Sequence, residues 1–209
     1  MKHLVPVLLI VVTGLFGCRS TKKAYERGDY DTAVVNSIER LRRSPNNKKS
    51  RETLRAAYPA LIDYMLEQVE QDKLSSHPLR WEDVARHYGV LNKVYDEIRR
   101  SPAASDVIRN PQNFQAEYNS ATLKAAESRY ALGSQRLDDG RRGDREAAKE
   151  AFTHFGEALR WRKNFRDAVA LKAEAREYAT LYVLVENIPM HSRTLSLSNE
   201  FFENQMFEY

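Results

Sequence analysis

Apolar side chains recur at steps of three and four residues along most of the chain, and this spacing constrains the fold more than any other feature. Residues at these steps share one face of an α-helix, so an apolar stripe of this kind predicts an amphipathic helix. Runs of β-branched residues are scarce until about residue 182. We therefore expect a mainly all-α chain. One continuous stripe comprises Leu54, Tyr58, Leu61, Ile62, Met65, Leu66 and Val69.

Proline and glycine divide the periodic stretches into separate helices. Pro45 ends a helix that begins after Gly28, because proline cannot continue the helical hydrogen-bond ladder. Pro59 lies within the stripe from Leu54 to Val69 and predicts a kink or a division of that helix. Pro111 suits the first turn of another helix. Residues 138–145 contain two glycines and predict a polar connector. Further helices are expected over 81–98, around 151–158 and from 165.

Two segments carry the residue pattern of a helical repeat. Residues 28–33 read Gly-Asp-Tyr-Asp-Thr-Ala and precede a helix, and Leu132-Gly133 precedes Ala151, Phe155 and Ala158. Both segments resemble tetratricopeptide repeats, in which small residues let two antiparallel helices approach closely. Arg40 departs from that pattern, since a second small residue usually stands at its position. The resemblance implies an antiparallel helix-pair stack with a concave binding face.

The same resemblance assigns a binding groove to the helix that begins at Lys48. It places Lys49, Glu52, Ala56 and Ala60 on the groove-facing side. This mixed and weakly charged set implies a protein or peptide ligand. Trp161 lies among basic residues at a helix end and is a second candidate contact, as an exposed aromatic. The alternative is that its ring covers the core and its N–H faces water.

The first 18 residues have the pattern of an export signal. A charged start and a run of about a dozen apolar residues precede Cys18, and the run is too short to span a bilayer. Leu15-Phe16-Gly17-Cys18 resembles the lipobox of bacterial lipoproteins, although Phe16 is bulkier than the usual residue. The resemblance implies cleavage after residue 17 and a lipid anchor on Cys18. Arg19 follows, and the absence of an aspartate there implies an outer-membrane protein that faces the periplasm.

The charge and cysteine content agree with that location. They give no support for a nucleic-acid-binding protein and rule out an intrachain disulfide. Beyond residue 17 the chain holds 32 basic and 29 acidic side chains, a small excess that does not support a nucleic-acid surface. Cys18 is the only cysteine, so no intrachain disulfide can form. Residues 1–17 are thus predicted as a signal peptide and 18–180 as one helical domain.

Residues 181–209 are predicted as a separate C-terminal segment. Tyr182 to Val185 is apolar and largely β-branched, which favours a short strand near 181–186. Leu195 to Tyr209 returns to helical spacing. Two interpretations stay open: this helix packs back onto the bundle, or the segment begins a further α/β module of a longer protein.

Two predicted helices end on the same motif, 57 residues apart. Residues 41–45 read Leu-Arg-Arg-Ser-Pro and residues 98–102 read Ile-Arg-Arg-Ser-Pro. The arginine pairs either offset the negative end of the helix dipole or contact an acidic partner. The offset exceeds the roughly 34 residues of a standard tetratricopeptide unit, so we expect lengthened helices.

No catalytic or cofactor motif is present. The five histidines lie outside metal-ligand spacing of one another, and no phosphate loop, nucleophile elbow or zinc-protease signature occurs. The sequence therefore predicts a non-enzymatic lipoprotein without a cofactor, a scaffold in Gram-negative outer-membrane assembly or secretion. Its expected partners are envelope proteins and the membrane, with no nucleic acid. The alternatives are a glycan-binding lipoprotein of an uptake system and an enzyme of unknown type.

Overall fold

The computed structural model describes residues 21–184, and this part of the chain forms eight α-helices and no strand. The predicted all-α class is confirmed. The predictions for residues 1–17, for Cys18 and for 185–209 lie outside the described residues. Residues 181–184, where the strand was expected to begin, are neither helical nor extended in a sheet. The helices are α1 (Thr21–Glu26), α2 (Tyr30–Arg43), α3 (Lys48–Leu74), α4 (Arg80–Arg99), α5 (Pro102–Val107), α6 (Gln115–Arg141), α7 (Arg145–Trp161) and α8 (Ala168–Ala179).

Side-chain caps explain where several helices begin. Asp29 accepts a hydrogen bond from the backbone N–H of Thr32 at the start of α2, at 3.3 Å. Asn47 caps α3 in the same way and Asp144 caps α7. Such caps satisfy N–H groups that have no partner within the helix. Gly143, with φ of 103°, makes the tight turn from α6 into α7, a conformation that other residues rarely adopt.

Helix α3 is continuous through Pro59, which does not divide it. Pro59 and Arg55, whose carbonyl loses its helical partner, are both exposed, so water can satisfy that carbonyl. The opposite face is buried through Tyr58 and Leu61. Packing of that face therefore holds the two parts of α3 in one helix.

Helix α6 begins at Gln115, four residues later than predicted from Pro111. The hydroxyl of Tyr58 accepts a hydrogen bond from the backbone N–H of Gln112 at 2.7 Å, and the amide oxygen of Asn92 accepts one from Phe114 at 3.0 Å. These bonds from distant helices hold the segment in a non-helical path. At its other end α6 continues to Arg141, so the predicted connector is reduced to residues 142–144.

Contacts between neighbouring helices show that the order α2, α3, α4, α6, α7 is antiparallel at each step. The rings of Tyr30 and Tyr64 pack 6.0 Å apart, which joins the start of α2 to the second half of α3. Asn92 contacts Gln115 at 3.5 Å, which joins the second half of α4 to the start of α6. Further cross-helix pairs are Asp72 with His87, Arg136 with Glu150, and Gly140 with Ala148.

Helix α6 belongs to two hydrophobic cores. Its 27 residues span about 40 Å at 1.5 Å per residue. Phe114 and Ala121 pack in a first core with α1 to α5, whereas Leu137 packs in a second core with α7 and α8. Helices α4 and α7 therefore lie end to end along α6. The start of α4 meets the end of α7 near the middle of α6.

Two of the glycines that face neighbouring helices, Gly140 and Gly89, offer a test of this packing. A Cβ on Gly140 would lie 2.9 Å from the Cβ of Ala148 and 3.1 Å from its Cα, so Gly140→Ala forces α6 and α7 apart. We expect a loss of about 1–3 kcal/mol in the free energy of unfolding, measured by urea denaturation. Gly89→Ala is the control, because its Cβ would make an ordinary 3.4 Å contact with the Tyr118 ring. It should gain about 0.5–1 kcal/mol from helix propensity, and equal effects would contradict the packing.

Candidate functional site

A buried polar group lies where α4 begins, α7 ends and α6 passes between them. We call it the joint cluster: Glu82, Arg129, His154 and Trp161. The Glu82 carboxylate accepts hydrogen bonds from Arg129 Nε at 2.6 Å and from Arg129 Nη2 at 2.9 Å. Trp161 Nε1 donates to the same carboxylate at 2.9 Å. Arg129 Nη1 lies 3.1 Å from Nδ1 of His154. One carboxylate thus joins three helices.

Contacts within the joint cluster favour the charged forms of Glu82 and Arg129. Burial acts to raise the pKa of Glu82, but hydrogen bonds from Arg129 and Trp161 and the nearby positive charges outweigh it, so the pKa is lowered. The hydrogen bond to Glu82 raises the pKa of Arg129 against the effect of burial. Burial, together with the Arg129 charge, lowers the pKa of His154. The expected state at neutral pH is an ion pair beside a neutral histidine.

This arrangement is suited to structure more than to proton transfer. Three hydrogen bonds already occupy the oxygens of Glu82, and a lowered pKa makes the carboxylate a weak base. Within residues 21–184, no group of three or more histidine, cysteine or acidic side chains is arranged to hold a metal ion. The enzyme alternative therefore gains no site from the joint cluster.

Next to the joint cluster, a cleft opens between the end of α3, the start of α4 and the first half of α6. We call it the α4–α6 cleft, and its volume is about 310 Å³. The ammonium of Lys124 lies 3.9 Å from the centre of the Trp81 ring, within the range of a cation–π interaction. Lys73 stands at another part of the wall. The lining residues are Lys73, Trp81, Val84, Tyr88, Ala116, Glu117, Ser120, Ala121 and Lys124.

The chemistry of the α4–α6 cleft combines an apolar floor with positive charge. Val84 and Ala121 are buried at its base, while Lys124 and Glu117 are exposed. Lys73 pairs with Glu70 at 2.7 Å, and that hydrogen bond is the main reason that the pKa of Lys73 is raised. Lys73 is thus charged at neutral pH. Such a surface can accept an apolar side chain that carries carboxylates beside it.

The structure places the sequence-predicted groove residues on the outer side of α3. Lys49, Glu52 and Ala56 are exposed and Ala60 is half-buried. None of the four lines the α4–α6 cleft. Trp161, the other candidate, is half-buried against the first core, and its N–H is bonded to Glu82. Its main contact in the described residues is therefore internal.

Sequence reasoning did not find the joint cluster or Lys124. Glu82 and Asp83 lie in the first turn of α4, where acidic residues are common because they offset the positive end of the helix dipole. The partners of Glu82 lie 47 and 79 residues further along the chain. The only local signal for a buried ion pair is Arg129, which lies on a face of α6 that otherwise carries small and apolar residues.

Searches against models of protein families, curated proteins and solved structures find no significant match to this chain. The resemblances to a tetratricopeptide stack and to a lipoprotein signal therefore remain predictions. Within residues 21–184, no helix is both long and apolar enough to cross a membrane.

Removing the Glu82 charge should destabilise the fold in a pH-dependent way. Glu82→Gln leaves Arg129 without its ionic partner, so we expect a loss of about 2–4 kcal/mol at pH 7 in urea unfolding followed by tryptophan fluorescence. Because the folded pKa of Glu82 lies below its ordinary 4.5, its contribution is complete above pH 4.5 and is lost as pH falls through the folded pKa. The difference between the two proteins should shrink over that range.

The matched control is Glu146→Gln, which removes an exposed carboxylate paired with Lys149. Exposed pairs of this kind contribute little, so a change below about 0.5 kcal/mol is expected. A Glu82→Gln effect of the same small size, or a difference that stays constant down to pH 3, would mean that the joint cluster is not an energetic link between the helices.

Proposed function

We propose that this protein is a lipid-anchored scaffold of the bacterial cell envelope that binds an acidic segment of a partner protein in the α4–α6 cleft. The observation that carries the proposal is that Lys73 and Lys124 stand beside the Trp81 ring in the wall of that cleft. Trp81 supplies a large rigid surface, and Lys73 and Lys124 supply positive charge. Aromatic residues with flanking charge are the features that dominate protein-binding hot spots.

Charge complementarity selects the kind of partner. The cleft wall has two lysines and one carboxylate, Glu117, and Lys73 is also paired with Glu70 next to the cleft. A segment with an apolar side chain between aspartates or glutamates fits this surface. Its apolar side chain would be buried in the cleft, and its carboxylates would pair with the lysines. Such long-range pairing mainly raises association rate and specificity. The proposal thus keeps the predicted protein ligand and moves its site from the outer side of α3 to the α4–α6 cleft.

The location is the second part of the proposal. Residues 1–17 would direct export, and a lipid on Cys18 would hold the helices at the outer membrane, on its periplasmic side. The observations in support are the apolar run before Cys18 and the absence of aspartate after it. The glycan-binding alternative has less support, since the N–H of Trp161, its candidate aromatic residue, is bonded to Glu82.

Site-specific photo-crosslinking in the native envelope tests the binding site. A photoreactive residue at Ser120, which is exposed and lines the cleft, should form an adduct with a defined envelope protein. Mass spectrometry should map the adduct to a segment rich in aspartate or glutamate. Lys124→Glu should reduce the yield at least about fivefold, because it replaces an attractive charge with a repulsive one.

Two controls separate specific from general capture. Lys163→Glu makes the same change of charge at an exposed position beyond the end of α7 and should leave the yield unchanged. A photoreactive residue at Gln135, exposed elsewhere on α6, should not give the same adduct. Equal adducts at both positions, or an adduct insensitive to Lys124→Glu, would refute the cleft as the binding site.

Metabolic labelling tests the lipid anchor independently. Cells that express the wild-type chain and receive a fatty-acid analogue should yield a labelled protein whose mature N-terminus is residue 18. Cys18→Ser removes the only cysteine and should abolish the label. Label retained in the Cys18→Ser protein, or a wild-type protein that never takes up label, would show that the lipobox assignment is wrong.

A further inference from the structure

Positive charge is distributed unevenly along the chain. Residues 19–55 contain 11 basic and five acidic side chains, whereas residues 56–209 contain 21 basic and 24 acidic side chains. The small net charge of the whole therefore conceals a basic first quarter. The sequence-based argument from the small excess of basic side chains concerns the total charge and does not describe how these side chains are arranged in the fold.

The fold collects basic side chains from three helices at one end of the bundle. Because α2 and α4 both run antiparallel to α3, the last turns of α2 and α4 lie beside the first turn of α3. The guanidinium of Arg42 donates to the backbone carbonyl of Glu97 at 3.2 Å and pairs with its carboxylate. Arg51 Nη1 lies 3.4 Å from the carbonyl of Pro45. These contacts join the three helix ends directly.

Both copies of the repeated Arg-Arg-Ser-Pro motif consequently lie at this end. We define the basic end by the exposed side chains of Arg42, Arg43, Lys48, Lys49, Arg99 and Arg100. Thr21, the first described residue of α1, lines a single cavity with Arg40 and Arg43. The start of α1, where Lys22 and Lys23 are exposed, therefore belongs to the same end of the molecule.

The carboxylates at the basic end are too few to pair with all of its basic side chains. Glu97 is paired with Arg42 and lies 4.0 Å from Arg100. Within residues 21–184, Arg43, Lys48 and Arg99 form no ion pair, although Glu39 and Glu52 are exposed nearby. Stabilisation of a helix C-terminus explains one arginine in each last turn. It does not explain Lys48 and Lys49, since a basic residue in the first turn of α3 opposes the helix dipole.

We propose that the basic end is a membrane-contacting surface that binds the headgroups of anionic phospholipids. Its orientation rests on the proposed lipid on Cys18. Three residue steps separate Cys18 from Thr21, a span of about 11 Å at most, so a lipid there holds this end at the bilayer surface. A basic patch adds electrostatic attraction to the attachment that a lipid anchor provides. Each basic side chain near an anionic surface raises partitioning roughly fivefold.

Vesicle binding without the lipid tests the surface separately from the anchor. The chain from residue 18 with Cys18→Ser retains all of residues 21–184, which contain both hydrophobic cores. In co-sedimentation, it should bind vesicles of phosphatidylcholine with about 30 mol% phosphatidylglycerol at least about tenfold more strongly than pure phosphatidylcholine vesicles. Raising salt from about 50 to about 300 mM should abolish the difference.

Two triple variants of equal net charge locate the contact. Arg43→Glu/Lys48→Glu/Arg99→Glu changes the basic end and should lower binding to the anionic vesicles at least about tenfold. Arg145→Glu/Arg162→Glu/Lys163→Glu changes exposed residues of the α6–α7–α8 region and should retain most of the binding. Circular dichroism of both variants confirms that each is folded before binding is compared.

Each outcome decides the proposal. Equal binding to neutral and anionic vesicles, or an equal loss in both triple variants, would overturn it, since only general charge attraction would remain. A short DNA duplex bound more tightly than the anionic vesicles would overturn it in favour of a nucleic-acid surface. Failure of the fatty-acid labelling experiment with vesicle binding intact would refute the lipid on Cys18 and leave the basic end as a membrane contact.

Discussion

The ion pair between Glu82 and Arg129 is the interaction on which the arrangement of the helices depends. Two hydrophobic cores share α6, and α4 and α7 meet end to end along it. Apolar packing alone is tolerant of small shifts along a helix axis. A bidentate pair with a third hydrogen bond from Trp161 is not, because each bond has a narrow range of distance and angle. We infer that the joint cluster fixes how far α4 and α7 extend along α6.

The α4–α6 cleft depends on the same interaction. Trp81 precedes Glu82 in α4, and Lys124 lies five residues before Arg129 in α6. Once Glu82 is bonded to Arg129, the antiparallel course of the two helices sets Trp81 against Lys124. Burial of an ion pair gives little net stability, since desolvation offsets much of the attraction. The main effect of this ion pair is to fix the register of α4 against α6, the two helices that form most of the neighbouring cleft.

Local signals in the sequence were sufficient for most helix positions. Gly133 and Phe155, which both lie in the segment that resembles a tetratricopeptide repeat, are in contact, with a Cβ on Gly133 placed 3.0 Å from the ring. The start of α6 could not be predicted, because Tyr58 and Asn92 hold residues 112–114 from 54 and 22 residues away. The joint cluster was missed for the same reason. Local periodicity carries no information about which buried charges will meet.

The repeated Arg-Arg-Ser-Pro motif shows what topology adds to a sequence pattern. One helix, α3, separates the two motif copies, and helices joined by short turns reverse direction at each turn. Helices α2 and α4, which have α3 between them, must therefore end on the same side of the molecule. The two motif copies, although 57 residues apart in the chain, thus lie in one surface patch.

The two ends of α4 belong to different surfaces: its start lines the α4–α6 cleft and its last turn is part of the basic end. Trp81 and Arg99 are 18 residues apart, about 27 Å along the helix axis. A molecule held at the bilayer by its basic end would present the α4–α6 cleft at that distance from the lipid headgroups. Beyond a few Debye lengths, the membrane charge no longer acts on Lys73 and Lys124. The cleft could thus attract an acidic protein segment even beside a bilayer that repels it.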